Sequence, residues 1–262
     1  MKTDMKVIYD GIDEVIANQK LRESTGGKDE AAAATDLLSV FRERFNEMGK
    51  PMSAQMERDV VLNFILAGRD TTASTLTFMF LVVANRPDIL AKIMADVEQV
   101  DLNEDGTIPI NGLGKLKYLK AVLMETLRLY PSVSLNIVGV ENDDVLPCGV
   151  PVKAGTTILI NFWRMGRDPA VWGPDAEEFN PDRFIGVHEP SPFKFPTFKA
   201  GPRMCLGKRL AMDEMLVVSH SLLRKYTFTF DGAVEGIKLE NGLTLKASSK
   251  DTIVTITSRS DN

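Results

Sequence analysis

Residues 198–207 read Phe-Lys-Ala-Gly-Pro-Arg-Met-Cys-Leu-Gly, and the interpretation of the whole chain starts from this stretch. Cys205 precedes a predicted helix over 206–225, where free N–H groups and the positive end of the helix dipole favour an anionic sulfur. Arg203 adds a positive charge that can hold an anionic group, and Gly201 permits a turn or a close backbone approach. These residues favour an anionic, functional thiol.

Gly207 leaves one face of the helix start without a side chain, so that a flat ligand can lie close to the sulfur. A buried structural cysteine is the usual alternative for a single Cys, but it does not explain the Phe, Gly and Arg at these offsets. Cys148, in Leu-Pro-Cys-Gly, lacks such surroundings, and we interpret it as a buried structural residue.

Outward from this loop, the hydrophobic spacing is mostly helical. Helices are predicted at 8–19, 36–45, 53–85, 87–100, 116–129 and 206–225, and residues 19–34 are predicted to be a loop. Short strands are predicted at 133–140, 152–160, 226–230, 238–246 and 252–258. The fold class is therefore mainly α with small β-sheets (α+β). Because the helix over 53–85 is apolar on most sides, we expect it to run through the centre of the protein.

The composition excludes several classes of protein. The chain has 262 residues, 44% of them hydrophobic, and 31 basic against 36 acidic residues, a net charge of −5. This balance predicts a globular protein that does not bind nucleic acid. Two cysteines and two histidines without close pairing argue against a disulfide framework and against structural zinc.

Neither a signal peptide nor a membrane span is predicted. Residues 1–10 are polar and charged, and the most apolar stretch, 60–84, contains Arg69 and Asp70. An anchor would therefore have to lie outside this chain.

The stretch 198–207 resembles the haem-binding signature of the cytochrome P450 family, Phe-x-x-Gly-x-Arg-x-Cys-x-Gly, at every defined position. The resemblance implies that Cys205 is the thiolate axial ligand of the iron of haem b (iron protoporphyrin IX), with Arg203 near a propionate. It also implies that Phe198, Gly201 and Gly207 contribute to cofactor binding. A thiolate ligand donates electron density and favours O–O cleavage.

Residues 67–72, Ala-Gly-Arg-Asp-Thr-Thr, look like the oxygen-activation segment of that family. The resemblance implies that Gly68 lets haem and dioxygen approach the helix backbone, that Thr71 hydrogen-bonds the bound oxygen or a water, and that Asp70 helps to relay protons. The alternative is a polar notch in a buried helix, where Thr71 bonds back to a carbonyl.

Glu125 and Arg128 have the i, i+3 spacing of an ordinary solvated helix pair, which contributes a few tenths of a kcal/mol. Before Leu-Tyr-Pro they also resemble the Glu-x-x-Arg helix of the family, whose pair bonds to a later arginine. Arg183, in Asn-Pro-Asp-Arg-Phe, is then the predicted third member of a structural network. This identifies the irregular stretch 168–196 as the family's meander.

Relatives often carry a basic residue after the Tyr-Pro dipeptide, but residues 132–140 contain no Lys, Arg or His. This places the corresponding propionate contact in doubt and makes the pocket wall more apolar. The candidates for contact with substrate are Val133, Leu135, Asn136, Ile137, Leu243 and Thr244. Ordinary packing is the alternative for all six.

The resemblance covers residues 1–262 as the C-terminal part of a single P450 domain, without its N-terminal part and membrane anchor. It implies a monooxygenase that inserts one atom of dioxygen into a C–H bond of a lipophilic substrate. The wording around 64–72 and 129–133 resembles the eukaryotic fatty-acid ω-hydroxylase branch. The alternative is a truncated, non-catalytic fragment that binds haem weakly or not at all.

By the same resemblance, electrons come from NADPH through NADPH–cytochrome P450 reductase, at the cytosolic face of the endoplasmic reticulum membrane. Lys199, Lys208 and Arg209 are the basic residues expected to meet an acidic reductase surface, with ordinary solvated charges as the alternative.

Overall fold

The computed structural model describes residues 2–25, 36–250 and 252–259. The chain divides into two compact units, residues 1–69 and 70–262, with the division inside one long helix. The helices and strands confirm a mainly helical protein with small two-stranded sheets.

The first unit contains α1 (Lys2–Thr25), α2 (Leu37–Glu47) and the beginning of α3 (Ala54–Ala84). Asp36 caps α2 as predicted, since its Oδ1 accepts a hydrogen bond from the Ser39 N–H at 2.9 Å. The core of this unit is small and is formed around Ile12, Ile16 and Leu38.

The prediction of a loop over 19–34 is wrong for its first part, because α1 continues to Thr25. Lys20, in its last turns, has a partner within the unit, since its Nζ lies 3.0 Å from the buried Glu57, which also accepts two hydrogen bonds from Arg42. The remainder of the predicted loop, residues 26–34, lies outside the described residues.

In the second unit the described residues continue from α3 through five further α-helices and eight strands. The helices are α4 (Pro87–Glu98), α5 (Lys117–Leu129), the short α6 (Phe162–Met165) and α7 (Pro169–Trp172), and α8 (Lys208–Lys225). The strands are β1 (Leu135–Gly139), β2 (Asp144–Val145), β3 (Pro151–Val152), β4 (Thr157–Asn161), β5 (Tyr226–Phe230), β6 (Leu239–Asn241), β7 (Leu245–Ala247) and β8 (Val254–Ser258). They pair as four antiparallel ribbons, β1–β4, β2–β3, β5–β8 and β6–β7.

The expectation that α3 is buried throughout holds only for its C-terminal half. Phe78 and Met79 are fully buried, whereas Ile65 and Leu66 are 47% and 63% exposed. Among the described residues, moreover, no helix is both long enough and apolar enough to cross a membrane.

His220, on α8, is 1% exposed, and among the described residues its imidazole approaches the Val97 backbone without a hydrogen bond of good geometry. Burial lowers the pKa of this imidazole below its usual 6.5, and the charge of Arg224 lowers it further. The folded state therefore resists protonation of His220.

We expect stability to fall as the pH drops below about 6.5, because the unfolded chain then binds a proton that folded His220 rejects. His220→Leu should weaken this dependence between about pH 7 and 5, measured by urea unfolding at each pH. The half-exposed Val217 on α8 provides the control: Val217→Ala changes no titratable group and should leave the dependence unchanged. Identical pH profiles for His220→Leu and the parent chain would contradict this assignment.

Candidate functional site

A fully buried ion pair lies on α5. The Glu125 and Arg128 side chains are both 0% exposed, and Arg128 donates from Nε and Nη2 to the two carboxylate oxygens at 2.6 and 2.7 Å. Buried charges are tolerated only when paired and fully hydrogen-bonded. The solvated-pair alternative is therefore wrong for these two residues.

The other N–H groups of Arg128 donate to backbone carbonyls of the segment that follows β4. They reach Gly166 and Ala176 at 2.5 Å and Glu178 at 2.9 Å. All five guanidinium N–H groups are thus used. Gly166 has to be glycine, since a Cβ there would overlap the Arg128 carbonyl oxygen.

The structure brings Arg183 to the same pair. Its Nε lies 3.5 Å from Glu125 Oε1 as an ion pair, and its two Nη atoms donate to the carbonyls of Trp172 (3.0 Å) and Asp175 (2.5 Å). Arg183 Nη2 also lies 2.6 Å from Asp175 Oδ2, and this side-chain hydrogen bond lowers the pKa of the Asp175 carboxyl. The stretch 168–196 is mostly irregular, and these arginines satisfy carbonyls that no sheet or long helix engages.

An aromatic cluster within this stretch packs against Arg128. Trp172, Phe184 and Phe195 have ring centroids 5.8 to 6.4 Å apart, and the Arg128 guanidinium lies 5.2 Å from the Trp172 ring. Trp172 also donates through Nε1 to the Met165 carbonyl at 3.1 Å. The irregular backbone is therefore held by apolar packing as well as by charge.

The cysteine loop, residues 198–207, is fixed by short-range hydrogen bonds. The Cys205 N–H donates to the Phe198 carbonyl at 2.8 Å, and Gly201 occupies φ +71°, a conformation that favours glycine. Immediately before the loop, Thr197 Oγ1 donates to the Leu127 carbonyl at 3.2 Å. This bond attaches the loop to α5, one residue from Arg128.

Lys199 has the only positive φ of a non-glycine residue in the described parts of the chain. Its φ of 62° and ψ of 179° lie in a region that is populated almost solely by glycine. The cysteine loop thus carries local backbone strain.

Cys205 itself is exposed, and α8 begins at Lys208 rather than at the predicted residue 206. Gly207 is the N-cap, so the thiol lies two residues before it instead of in the first turn. Hydrogen bonds of the loop, rather than the helix backbone, position the sulfur.

The loop offers one protein ligand for a large flat group. Arg203 is exposed, and the apolar Met204 and Leu206 flank Cys205 with exposures of 50% and 77%. A Cβ added to Gly207 would meet no atom within 4 Å. The described residues contain no cluster of three or more His, Cys, Asp or Glu that could hold a bare metal ion.

These residues fit haem, because the porphyrin supplies four nitrogen ligands and the iron needs only one soft axial ligand from the protein. The exposed apolar side chains and the arginine suit a macrocycle with an apolar face and anionic propionates. The donor set therefore agrees with the cofactor that the sequence motif indicates.

The basic residues near the loop differ in their contacts. Lys208 forms an ion pair with Glu189 and lies 5.7 Å from the Phe198 ring centroid. Arg209 forms a longer ion pair with Asp213, at 3.7 Å, and its side chain is 94% exposed. Lys199 is exposed.

On α3, Gly68 has open space where a Cβ would stand. Asp70 Oδ2 lies 3.4 Å from Lys246 Nζ on β7. The Thr71 carbonyl accepts hydrogen bonds from the hydroxyls of Ser132 and Thr75 at 2.8 and 3.0 Å. The contacts of Ser132 and Lys246 were not predicted from the sequence. For Ser132 the only available signal was its place directly after Tyr-Pro.

The candidate substrate residues fall into three groups. Leu135, Ile137 and Leu243 are exposed, at 43%, 67% and 92%, while Val133 and Asn136 are half-buried. Thr244 is buried, and its hydroxyl has no partner in the described part of the chain.

Cys148 is exposed, so its interpretation as a buried residue is wrong. It lies in the tight connection between β2 and β3, where Gly149 takes φ +86° and the Leu146 N–H donates to the Val150 carbonyl. A hairpin turn of this kind projects from the surface, and hence exposes its side chains.

The fold is mainly helical, and the loop that bears Cys205 is attached through Thr197 to the helix that carries the buried Glu-x-x-Arg pair. The cytochrome P450 family model matches residues 1–254, and the chain belongs to the cytochrome P450 family.

Curated relatives agree with this family. "Cytochrome P450 CYP94D109" of Paris polyphylla is 38% identical, covering 96% of this chain and 52% of the relative. "Alkane hydroxylase MAH1" of Arabidopsis thaliana is 36% identical, over 92% of this chain and 48% of the relative. "Cytochrome P450 94B1" of Arabidopsis thaliana is 35% identical, over 86% and 44%. The chain spans about half the length of these relatives.

Arg128→Ala should lower the free energy of unfolding by about 3–5 kcal/mol, because it leaves Glu125 charged and buried without its partner. Urea unfolding of the full chain measures the loss. Arg44→Ala is the matched control, since Arg44 and Glu47 have the same i, i+3 spacing but exposed side chains. That change should cost less than about 0.5 kcal/mol. Equal losses would show that burial of the pair is unimportant.

Lys199→Gly should raise the free energy of unfolding by about 1 kcal/mol, because it relieves strain at positive φ that exceeds the entropy cost of glycine. Thermal or urea unfolding would detect the gain. Lys50→Gly, at an exposed loop position without positive φ, should give no gain. If Lys199→Gly destabilised the chain as Lys50→Gly does, the backbone strain would be refuted.

Proposed function

We propose that this chain forms the thiolate-bearing, C-terminal part of a single P450 domain that acts as a haem-thiolate monooxygenase. The observation that carries the proposal is the exposed Cys205 thiol on a glycine-constrained loop attached to α5. A lone soft ligand with an arginine and apolar neighbours suits haem iron and suits a multi-ligand metal site poorly.

In this proposal Cys205 would bind the iron and Arg203 would hold a propionate, while Phe198 would anchor the loop through its packing on the core and its carbonyl, which accepts from the Cys205 N–H. Gly201 and Gly207 keep the loop turned and one side of the sulfur open. When bound, haem b supplies the redox chemistry that activates dioxygen, and the thiolate ligand favours O–O cleavage.

The turn of α3 that carries Asp70 and Thr71 is proposed to deliver protons to the site. The Thr71 hydroxyl holds a proton toward the oxygen-binding position, and the Asp70 carboxylate takes up and passes on protons from solvent. Asp70 suits this role because its side chain is 44% exposed and so remains in contact with water. Gly68 contributes space, since no side chain stands between the helix backbone and an approaching ligand.

The proposed substrate is lipophilic, and the proposed reaction is insertion of one oxygen atom into a C–H bond, with fatty-acid ω-hydroxylation as the particular case. Support comes from an apolar stripe on the β1–β4 ribbon, where Leu135 and Ile137 lie on one face and Ile137 pairs with Leu159. All three side chains are exposed. A relative with the printed name alkane hydroxylase, 36% identical, points to the same substrate class.

NADPH–cytochrome P450 reductase is the proposed electron donor, and the cytosolic face of the endoplasmic reticulum is the proposed location of the full protein. Lys199 and Arg209 are the exposed basic groups proposed to meet an acidic partner. Arg209 is 94% exposed although it lies 3.7 Å from Asp213, whereas the less exposed Lys208 is paired with Glu189.

The second candidate is a non-catalytic chain that binds haem weakly or not at all. It is favoured by the exposure of the side chains proposed to enclose substrate, Leu243 at 92% and Ile137 at 67%. Oxygen activation requires a site from which water is excluded, and these residues alone do not enclose one.

Expression of the full chain with haem supply, followed by reduction and addition of carbon monoxide, separates the two candidates. We expect a red-shifted Soret band of the thiolate type, because an anionic sulfur opposite carbon monoxide raises electron density at iron. Cys205→Ala should abolish this band. Cys148→Ala, which alters the other exposed cysteine, should retain it.

Failure of the parent chain to retain haem would favour the second candidate. A thiolate band that survives Cys205→Ala would refute the assignment of the ligand.

A further inference from the structure

Two buried hydroxyls converge on the backbone of α3 where it carries Asp70 and Thr71. Ser132 and Thr75 are 4% and 1% exposed, and their hydroxyl oxygens lie 2.7 Å apart. Each also lies within hydrogen-bond distance of the Thr71 carbonyl oxygen, at 2.8 Å from Ser132 and 3.0 Å from Thr75. Thr75 lies outside the sequence motifs, and Ser132 belongs to the stretch 129–133 without an assigned role.

The number of hydrogens on the two hydroxyls limits the hydrogen bonds that they can donate. Each hydroxyl has one hydrogen, so one of the two donates to the other or both donate to the carbonyl. In every arrangement at least one proton points at Thr71 O. A carbonyl oxygen cannot pass that proton on, and the cluster is therefore a positioning device rather than a proton relay.

The backbone of Ser132 is itself fixed. The Leu245 N–H donates to the Ser132 carbonyl at 2.8 Å, and the Leu245 carbonyl accepts from Ser74 Oγ at 2.5 Å. Lys246, the next residue on β7, forms the ion pair with Asp70. The α3 turn is thus held through both the segment after α5 and strand β7.

We propose that Ser132 is a positioning residue that fixes the turn of α3 bearing Asp70 and Thr71, through the hydrogen bond of its hydroxyl to the Thr71 carbonyl. The role of that turn in proton delivery rests on the proposed function. The positioning itself does not, since it follows from contacts present in the chain without a cofactor.

Hydrogen–deuterium exchange of the full chain tests the positioning directly. In Ser132→Ala, exchange of amides in peptides covering residues 71–76 should become roughly fivefold faster, the effect of losing one buried hydrogen bond. Peptides of α4 should keep their protection. An unchanged rate at 71–76, or the same increase throughout the second unit, would overturn the proposal.

Matched variants separate this hydrogen bond from a general effect of mutation. Ser132→Thr retains the hydroxyl and should restore slow exchange, and Thr75→Val removes its hydroxyl at nearly constant shape. Because the two hydroxyls share one acceptor, the effects of Ser132→Ala and Thr75→Val should not add. Ser219→Ala is the control, since the Ser219 hydroxyl is buried without a partner among the described residues.

A spectroscopic readout connects the turn to the proposed site. In the haem-loaded chain, the C–O stretching band of the carbon monoxide complex should shift or broaden in Ser132→Ala and return in Ser132→Thr. If the exchange result holds and this band is unaffected, the turn is positioned by Ser132 but does not face the ligand. That outcome, or a failure to bind haem, would refute the role in the proposed function and leave the positioning intact.

Discussion

Five backbone carbonyls of the irregular segment after β4 accept hydrogen bonds from two arginine side chains. Arg128 serves three of them and Arg183 two, and Glu125 supplies the buried negative charge that allows both arginines to lie inside the protein. Buried carbonyls without a partner are costly, and this segment has no long helix or sheet to provide one. Its ordered conformation therefore follows from the buried ion network.

The cysteine loop inherits its position from the same helix. Leu127, next to Arg128, accepts the hydrogen bond from Thr197 just before the loop begins. Phe195 packs against Trp172, whose ring lies next to the Arg128 guanidinium, so the residues just before the loop are held by apolar packing and by charge. These contacts balance the backbone strain at Lys199, and the positive φ values of Lys199 and Gly201 shape the loop that exposes Cys205.

The sequence predicted the parts of the site that are carried by local spacing. The helix over 116–129, the Glu-x-x-Arg pair and the cysteine motif each depend on residues a few positions apart. Contacts made across the fold were not predictable in this way: Ser132 lies 61 residues from Thr71, and Lys246 lies 176 residues from Asp70. No local pattern encodes such pairs. Exposure was also misjudged for Cys148 and for the first half of α3, since hydrophobicity and residue type indicate burial only on average.

In the proposed site Cys205 is the protein ligand of a haem iron. Iron X-ray absorption of the haem-loaded full chain tests this assignment, because the fine structure identifies sulfur in the first coordination shell independently of any activity. We expect a sulfur neighbour in the parent chain and in Cys148→Ala, and its loss in Cys205→Ala. A first shell of nitrogen and oxygen alone in the parent, or a sulfur neighbour that disappears only in Cys148→Ala, would contradict it.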